Sequence, residues 1–214
     1  MKITILGAAG QISRLLIQRL LDETDAELVL FARQADTRLA QAFNMQFDDR
    51  ITLVAGDFSD AKVLESAVSN ADIVYLNTDH GQSVQQTLMA MDYVGVKRLI
   101  VAGVLGIYDE VTGAFGKWNR QMVGPIGERG AMIETLEASD LDYTYMRMTW
   151  LYNQAGKTDY VVSYKGEPFT GAQITRQAIV QYVLDLMDDS KRDIRVSVGL
   201  WEPGSEGLPK PSWY

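Results

Sequence analysis

Met1-Lys2-Ile3-Thr4-Ile5-Leu6-Gly7-Ala8-Ala9-Gly10-Gln11-Ile12-Ser13 opens the chain, and its reading decides the fold. Lys2 to Leu6 is a short β-branched and apolar run, the glycine segment follows without a spacer, and Arg14 to Leu21 continues as an amphipathic stretch. The order is strand, tight turn, helix. Gly7 stands where the backbone must bend and Gly10 where it comes close to a ligand. The first N–H groups of the helix, around Ala9, Gln11 and Ile12, then favour a phosphate. Two glycines by themselves make an ordinary turn; it is their place between a strand and a helix that points to nucleotide binding.

Downstream, Glu27 to Ala32 is a near-continuous apolar run, the pattern of a parallel strand covered on both faces, and it ends at Arg33. The residue at that strand end faces the adenosine ribose of a dinucleotide. An acid there selects the free 2′-hydroxyl of NAD, and an arginine accommodates the 2′-phosphate of NADP. Arg33 therefore points to NADP(H). Arg38 could close on the same phosphate or stand as a solvated surface arginine. Ile51 to Ala55 forms a third strand followed by Asp57 and Phe58, placed to meet the adenine, or for Asp57 merely to shape the turn while Ser59 or Asp60 caps the helix from Ala61. Ala71 to Leu76 is a fourth strand, and Asn77 and Thr78 begin a loop on the expected nicotinamide side. His80, the sole histidine, lies in that loop and reads more readily as solvated than as an acid or base. A helix over Ser83 to Tyr93 leads to a fifth strand, Lys97 to Ala102.

Residues 103–127 contain six glycines with Tyr108, Phe115 and Trp118, and read as a long loop or lid over the strand ends. A helix from Gly130 to Ala138 and a sixth strand from Asp142 to Met146 follow, and the chain then leaves the sheet through Trp150, so that 147–175 adds further substrate or lid elements. Tyr160 to Tyr164 with the Lys165-Gly166-Glu167-Pro168 turn suggests a hairpin. Thr175 caps an amphipathic helix to Met187, Ile194 to Val198 is a last strand, and Glu202 to Tyr214 packs as an extended segment.

Strands alternating with helices across all 214 residues imply one domain: an α/β, doubly wound parallel β-sheet of the Rossmann type, with helices on both faces. Composition agrees. Apolar residues make up 47% and charged residues 22%, and no apolar run is long enough for a membrane span. A net charge of −8 argues against a nucleic-acid partner. The absence of cysteine, with one histidine, removes a disulfide framework and makes a transition-metal site improbable. A strand beginning at residue 2 makes the cytoplasm the expected location.

The Gly7-x-x-Gly10-x-x-Ser13 spacing, Arg33 after the second strand, Gly56-Asp57 after the third, Gly95-Val96-Lys97-Arg98 entering the fifth, and Leu141-Asp142-Tyr143-Thr144 followed by Arg147 together resemble an atypical short-chain dehydrogenase/reductase of the NmrA-like, NAD(P)-binding group. Ser13 replaces the group's third glycine, and Met148 follows Arg147 where the group usually reads arginine-proline. The resemblance implies an NADP(H)-binding oxidoreductase with a small-molecule acceptor. The Tyr-x-x-x-Lys pair of the classical family is not found where it should fall, at Gly127-Glu128-Arg129-Gly130. Tyr93 and Lys97 match only the spelling, since they bridge a helix end and a strand start. The expectation is therefore a reductase passing hydride to a flavin, quinone or similar conjugated molecule, with Tyr108, Trp118 and Trp150 stacking on it and no assigned catalytic residue. The alternative is an NADP redox sensor acting through a protein partner.

Overall fold

The computed structural model describes residues 1–43, 48–124, 127 and 129–214. The sheet is built from β1 (Lys2–Leu6), β2 (Glu27–Ala32), β3 (Ile51–Ala55), β4 (Ile73–Leu76), β5 (Arg98–Val104), β6 (Asp142–Met148), β8 (Val161–Tyr164) and β10 (Val196–Trp201), in the order β3-β2-β1-β4-β5-β6-β10-β8. Every pair is parallel except β8 with β10. A short parallel pair, β7 (Trp150–Tyr152) with β9 (Gln173–Thr175), lies beside it. The single-domain Rossmann fold expected from the alternating pattern is therefore present, and β7 and β9 are strands the pattern did not mark.

Alternation along each strand assigns its residues to two cores. Ile3, Ile5, Leu28 and Leu30 face α1 (Gln11–Glu23) and α7 (Arg176–Asp188), meeting Leu16, Leu20, Ile179 and Val183. Leu6, Val29, Phe31, Val74 and Val101 face α3 (Ala61–Val68), α4 (Gly81–Val94) and α6 (Arg129–Ala138), meeting Leu64, Met91 and Ile133. The remaining helix beside β2 is α2 (Ala35–Phe43). Thr175 caps α7 by accepting from Ala178 N, and Asp60 caps α3 by accepting from Val63 N.

Four expectations are corrected. Residues 103–127 are not one loop: β5 runs on to Val104, and α5 spans Gly113–Val123. Gly116 costs that helix about 1 kcal/mol relative to alanine, and Gly113 opens it at φ +69°, where glycine fits and alanine does not; two glycines in one short stretch hide the helix from propensity. Its packing decides instead. Phe115 is buried, a Cβ at Gly116 would lie 2.2 Å from the Val111 carbonyl oxygen, and buried Asn119 accepts from Trp150 Nε1 at 2.8 Å. The 160–168 segment is no hairpin, because β8 pairs with β10 and the chain beyond the turn leaves for Phe169, which bridges to Val111. The last strand starts at Val196, after Asp193 and Arg195 adopt left-handed backbone. The tail is a series of turns, with positive φ at Gly204 and Gly207, rather than an extended segment.

Candidate functional site

Strand β1 has β2 on one side and β4 on the other, so the crossovers diverge there and a cleft opens over the carboxyl ends, where such sheets bind ligands. The cleft measures about 530 Å³. Its floor is the first turn, with Gly7, Ala9 and Gly10. Gly7 has φ +81°, where only glycine is unstrained. Gly10 is needed for a different reason: a Cβ there would lie 2.0 Å from Asn77 Nδ2. Asn77 closes on the turn because the Tyr75 hydroxyl, fully buried, donates to its Oδ1 at 3.0 Å and so sets the amide's direction. Ser13, also fully buried, donates its hydroxyl to the Gly7 carbonyl at 3.0 Å, so the residue that replaces the third glycine secures the turn.

Helix α1 starts without a side-chain cap or an acidic residue in its first turn, which leaves its opening N–H groups for a ligand. Of the other residues expected there, Gln11 is exposed and the Ile12 side chain packs into the core. Ile12 can therefore offer the cleft only its backbone.

At the far end stand Arg33 and Arg38, both exposed, with Asp57 and Phe58. Phe58 meets Phe31 edge-on with ring centres 5.5 Å apart. The Asp57 carboxylate accepts from Ser59 N and Oγ, and these bonds, helped by the nearby Arg33 charge, hold its pKa below the usual range. Thr78 and His80 complete the near wall. His80 is exposed, and its N–H donates to Thr78 Oγ1.

A second cavity of about 490 Å³ lies over the ends of β5 and β6. Gly103, Val104, Leu105, Met148, Leu151 and Trp150 make it largely apolar, and Arg129 and Arg176 are its charged residues. It adjoins the first cleft through the loop after β4, since Arg129 Nε lies 3.1 Å from Asp79 Oδ2, one residue past Thr78. Asp79 is buried and also accepts from the Tyr145 hydroxyl at 3.1 Å. Burial pushes the Tyr145 pKa well above that of free tyrosine, with the Asp79 charge adding to the effect.

The three aromatic lid residues do not converge. Only Trp150 lines this cavity. Trp118 packs behind it, 4.8 Å from the Trp150 ring centre and 5.1 Å from Tyr214. The Tyr108 hydroxyl donates to Glu137 while Lys165 sits over the ring. Nearby, fully buried Arg147 donates to Glu110, which accepts in turn from the N–H groups of Gly106 and Tyr108 and so ties this loop to the sheet. Tyr93 and Lys97 are separated by Gly95, which ends α4 in the left-handed conformation, and Lys97 pairs with Asp140 at the amino ends of the strands. Of the Gly127–Gly130 segment, Glu128 lies outside the described residues, as do Pro125 and Ile126 of the expected lid. Asp79, Arg129 and Arg176 escaped the sequence reading, and the signal for the last two was an arginine opening each of two helices.

The glycine turn, the open helix start and the cleft at the switch point define a dinucleotide-binding protein of the Rossmann type. Comparison with known proteins agrees: residues 7–190 match the model of a family described as NAD(P)H-binding, and the chain belongs to that family. It is similar to a short-chain dehydrogenase/reductase from Veillonella parvula DSM 2008 solved in complex with NADP, at 35% identity and TM-score 0.90, covering 99% of this chain and 98% of that one. A Rossmann-fold NAD(P)-binding protein from Shigella flexneri is 28% identical with TM-score 0.79, covering 96% and 95%. Among curated proteins, the oxidoreductase nsrR of Aspergillus novofumigatus (strain IBT 16806) is 27% identical over 88 residues. That match spans 41% of this chain and only 33% of the relative. No helix among the described residues is long and apolar enough to cross a membrane.

Proposed function

We propose that the protein is an NADPH-dependent reductase acting on a planar, conjugated small molecule of the flavin or quinone kind, without a Tyr-Lys dyad. The observation that carries this reading is the apolar cavity beside the cleft, walled by Trp150 and lined by no tyrosine hydroxyl or lysine amine among the described residues. The reduced cofactor, when bound, supplies hydride, and a conjugated acceptor takes both electrons while solvent provides the proton.

The residues present fit that cofactor. Gly7, Gly10 and the opening N–H groups of α1 would hold the pyrophosphate, Arg33 and Arg38 the 2′-phosphate, and Asp57 with Phe58 the adenine. Asn77 and Thr78 would border the nicotinamide. Trp150 and Met148 offer a flat apolar wall that excludes water and orients an aromatic ring. The Tyr145 hydroxyl is directed at Asp79, and burial raises its pKa above that of free tyrosine.

Binding of NADPH and NADH followed through tryptophan fluorescence tests the first half. We expect an NADPH preference near 100-fold, about 2.7 kcal/mol, that disappears in Arg33→Asp. Turnover with a panel of flavins, quinones, aldehydes and ketones tests the second. Reduction of the conjugated acceptors alone supports the reading, and ketone reduction at comparable rates refutes it. A redox sensor is the second reading, favoured by Met89 and Tyr93, 60% and 77% exposed on one side of α4. It requires tight discrimination between oxidised and reduced cofactor with no turnover of any acceptor.

A further inference from the structure

The cavity over β5 and β6 is largely apolar, and the charged residues in its lining are two arginines. Arg129 is the first residue of α6 and Arg176 the first of α7. A cation in the first turn of a helix opposes the helix dipole, and neither helix has an acidic residue in its first turn to offset it. An anion beside each arginine would offset this, and Asp79 supplies one for Arg129.

The local charge count points the same way. Asp79 neutralises one arginine only, and it does so through Nε of Arg129, at an angle outside hydrogen-bond geometry. The two terminal nitrogens of Arg129 donate to no protein acceptor among the described residues. Arg176 has only a neutral partner, the Asn153 side-chain oxygen at 3.2 Å, and no carboxylate within 4.0 Å among the described residues. Its partial burial lowers its pKa, with no acid to restore it. Among the described residues one positive charge is thus left without a carboxylate partner beside an apolar wall, in a chain whose net charge is −8.

We propose that the acceptor carries an oxyanion, a carboxylate or a phosphate, gripped by Arg129 and Arg176 while its conjugated rings lie on Trp150. The planar fork of a guanidinium suits either group, since each can take two parallel N–H donations. The pair sits away from the glycine turn, so it is free to bind substrate and not the cofactor's pyrophosphate. This inference rests on the reductase reading and adds the group that would select among planar acceptors.

Calorimetric titration of the NADP-loaded protein with matched probes tests it without reference to turnover. Anthraquinone-2-carboxylate is compared with 2-(hydroxymethyl)anthraquinone for the carboxylate, and FMN with riboflavin for the phosphate. The charged member of at least one pair should bind about tenfold more tightly at low salt, a preference that shrinks as salt is raised. Which pair shows it identifies the oxyanion. Arg176→Gln should remove most of the preference and leave the neutral probes and NADP affinity unchanged. Arg129→Gln serves as the second variant.

Equal binding of charged and neutral probes overturns the oxyanion and leaves the planar-acceptor reading standing. A preference that survives both substitutions overturns the assignment to these arginines. Loss of NADP affinity in Arg176→Gln with an unchanged probe preference assigns that residue to the cofactor and overturns the proposal. If no planar probe binds at all, the reductase reading falls with it.

Discussion

Replacing Gly10 with alanine tests the geometry of the glycine turn. Gly10 has φ −70° and ψ 158°, extended backbone that alanine adopts freely. The smaller unfolded-state entropy of alanine would stabilise by about 0.4–1 kcal/mol, roughly cancelled by its poorer fit at a helix N-cap. Backbone terms therefore predict little change, and the side chain decides. The added Cβ would lie 2.0 Å from Asn77 Nδ2, so the amide has to swing away. It cannot do so freely, because the buried Tyr75 hydroxyl donates to its Oδ1. Leaving that hydroxyl unpaired costs about 1–3 kcal/mol, which at about 2–4 °C per kcal/mol for a chain of this size lowers Tm by roughly 2–12 °C. NADPH affinity should fall at the same time, at least about tenfold, since binding needs the turn and Asn77 in register.

The control is Asn77→Ala, which removes the clashing atoms and leaves only the Gly7 carbonyl oxygen, 3.3 Å from the new methyl. In that background Gly10→Ala should cost almost nothing, giving a coupling energy of about 1–3 kcal/mol. Thermal melts and NADPH titrations of the four proteins measure it. Additive effects, or a Gly10→Ala protein that melts and binds like the parent, would refute the account of this turn.

Other perturbations test other parts of the fold. Glu110→Ala strands the fully buried Arg147 guanidinium and two loop N–H groups; urea denaturation should show a loss of about 3–5 kcal/mol, and a loss below about 1 kcal/mol would place that ion pair in solvent. Gly116→Ala should destabilise although alanine is the better helix former, because the Cβ meets the Val111 carbonyl at 2.2 Å and backbone cannot step aside cheaply. A raised Tm would show that α5 is not seated on that carbonyl. Ser13→Gly should lose about 1 kcal/mol through its bond to Gly7 O, with NADPH affinity unchanged. Tyr214→Ala removes ring contacts with Trp118 and Trp150 at 5.1 and 5.3 Å. It should blue- or red-shift the tryptophan emission and alter acceptor KM more than NADPH affinity.

What could be read from the sequence follows the range of the interactions concerned. The strand, turn and helix of residues 2–23 are encoded locally, by a β-branched run, two glycines and an amphipathic period; β2 and β4 repeat the same logic with buried apolar runs, and β3 with a half-buried one at the sheet edge. The dinucleotide cleft was legible for that reason, since its floor and both ends lie at strand termini that the pattern marks. Helix α5 was not. Its glycines argue for a loop, and tertiary packing holds it helical: buried Phe115, the close approach of Gly116 to the Val111 carbonyl and the bond from Trp150 to Asn119.

The same limit applies to the second cavity. Arg129 and Arg176 are 47 positions apart and meet one cavity only because α6 starts beside the loop after β4 while α7 starts where the β7–β9 pair ends. Local rules treat each as a misplaced charge at a helix start. Placed together beside an apolar wall they become a consistent feature, because an unfavourable charge repeated on two helices around one cavity is offset most directly by whatever that cavity binds. That argument also explains why the aromatic residues misled: Tyr108 and Trp118 have chemistry suited to stacking, but Glu137, Lys165, Phe115 and Tyr214 already occupy their faces and edges. Of the three, Trp150 alone lines the cavity, so on the proposed reading it is beside this ring that an arginine would have the greatest effect on which planar molecule is selected.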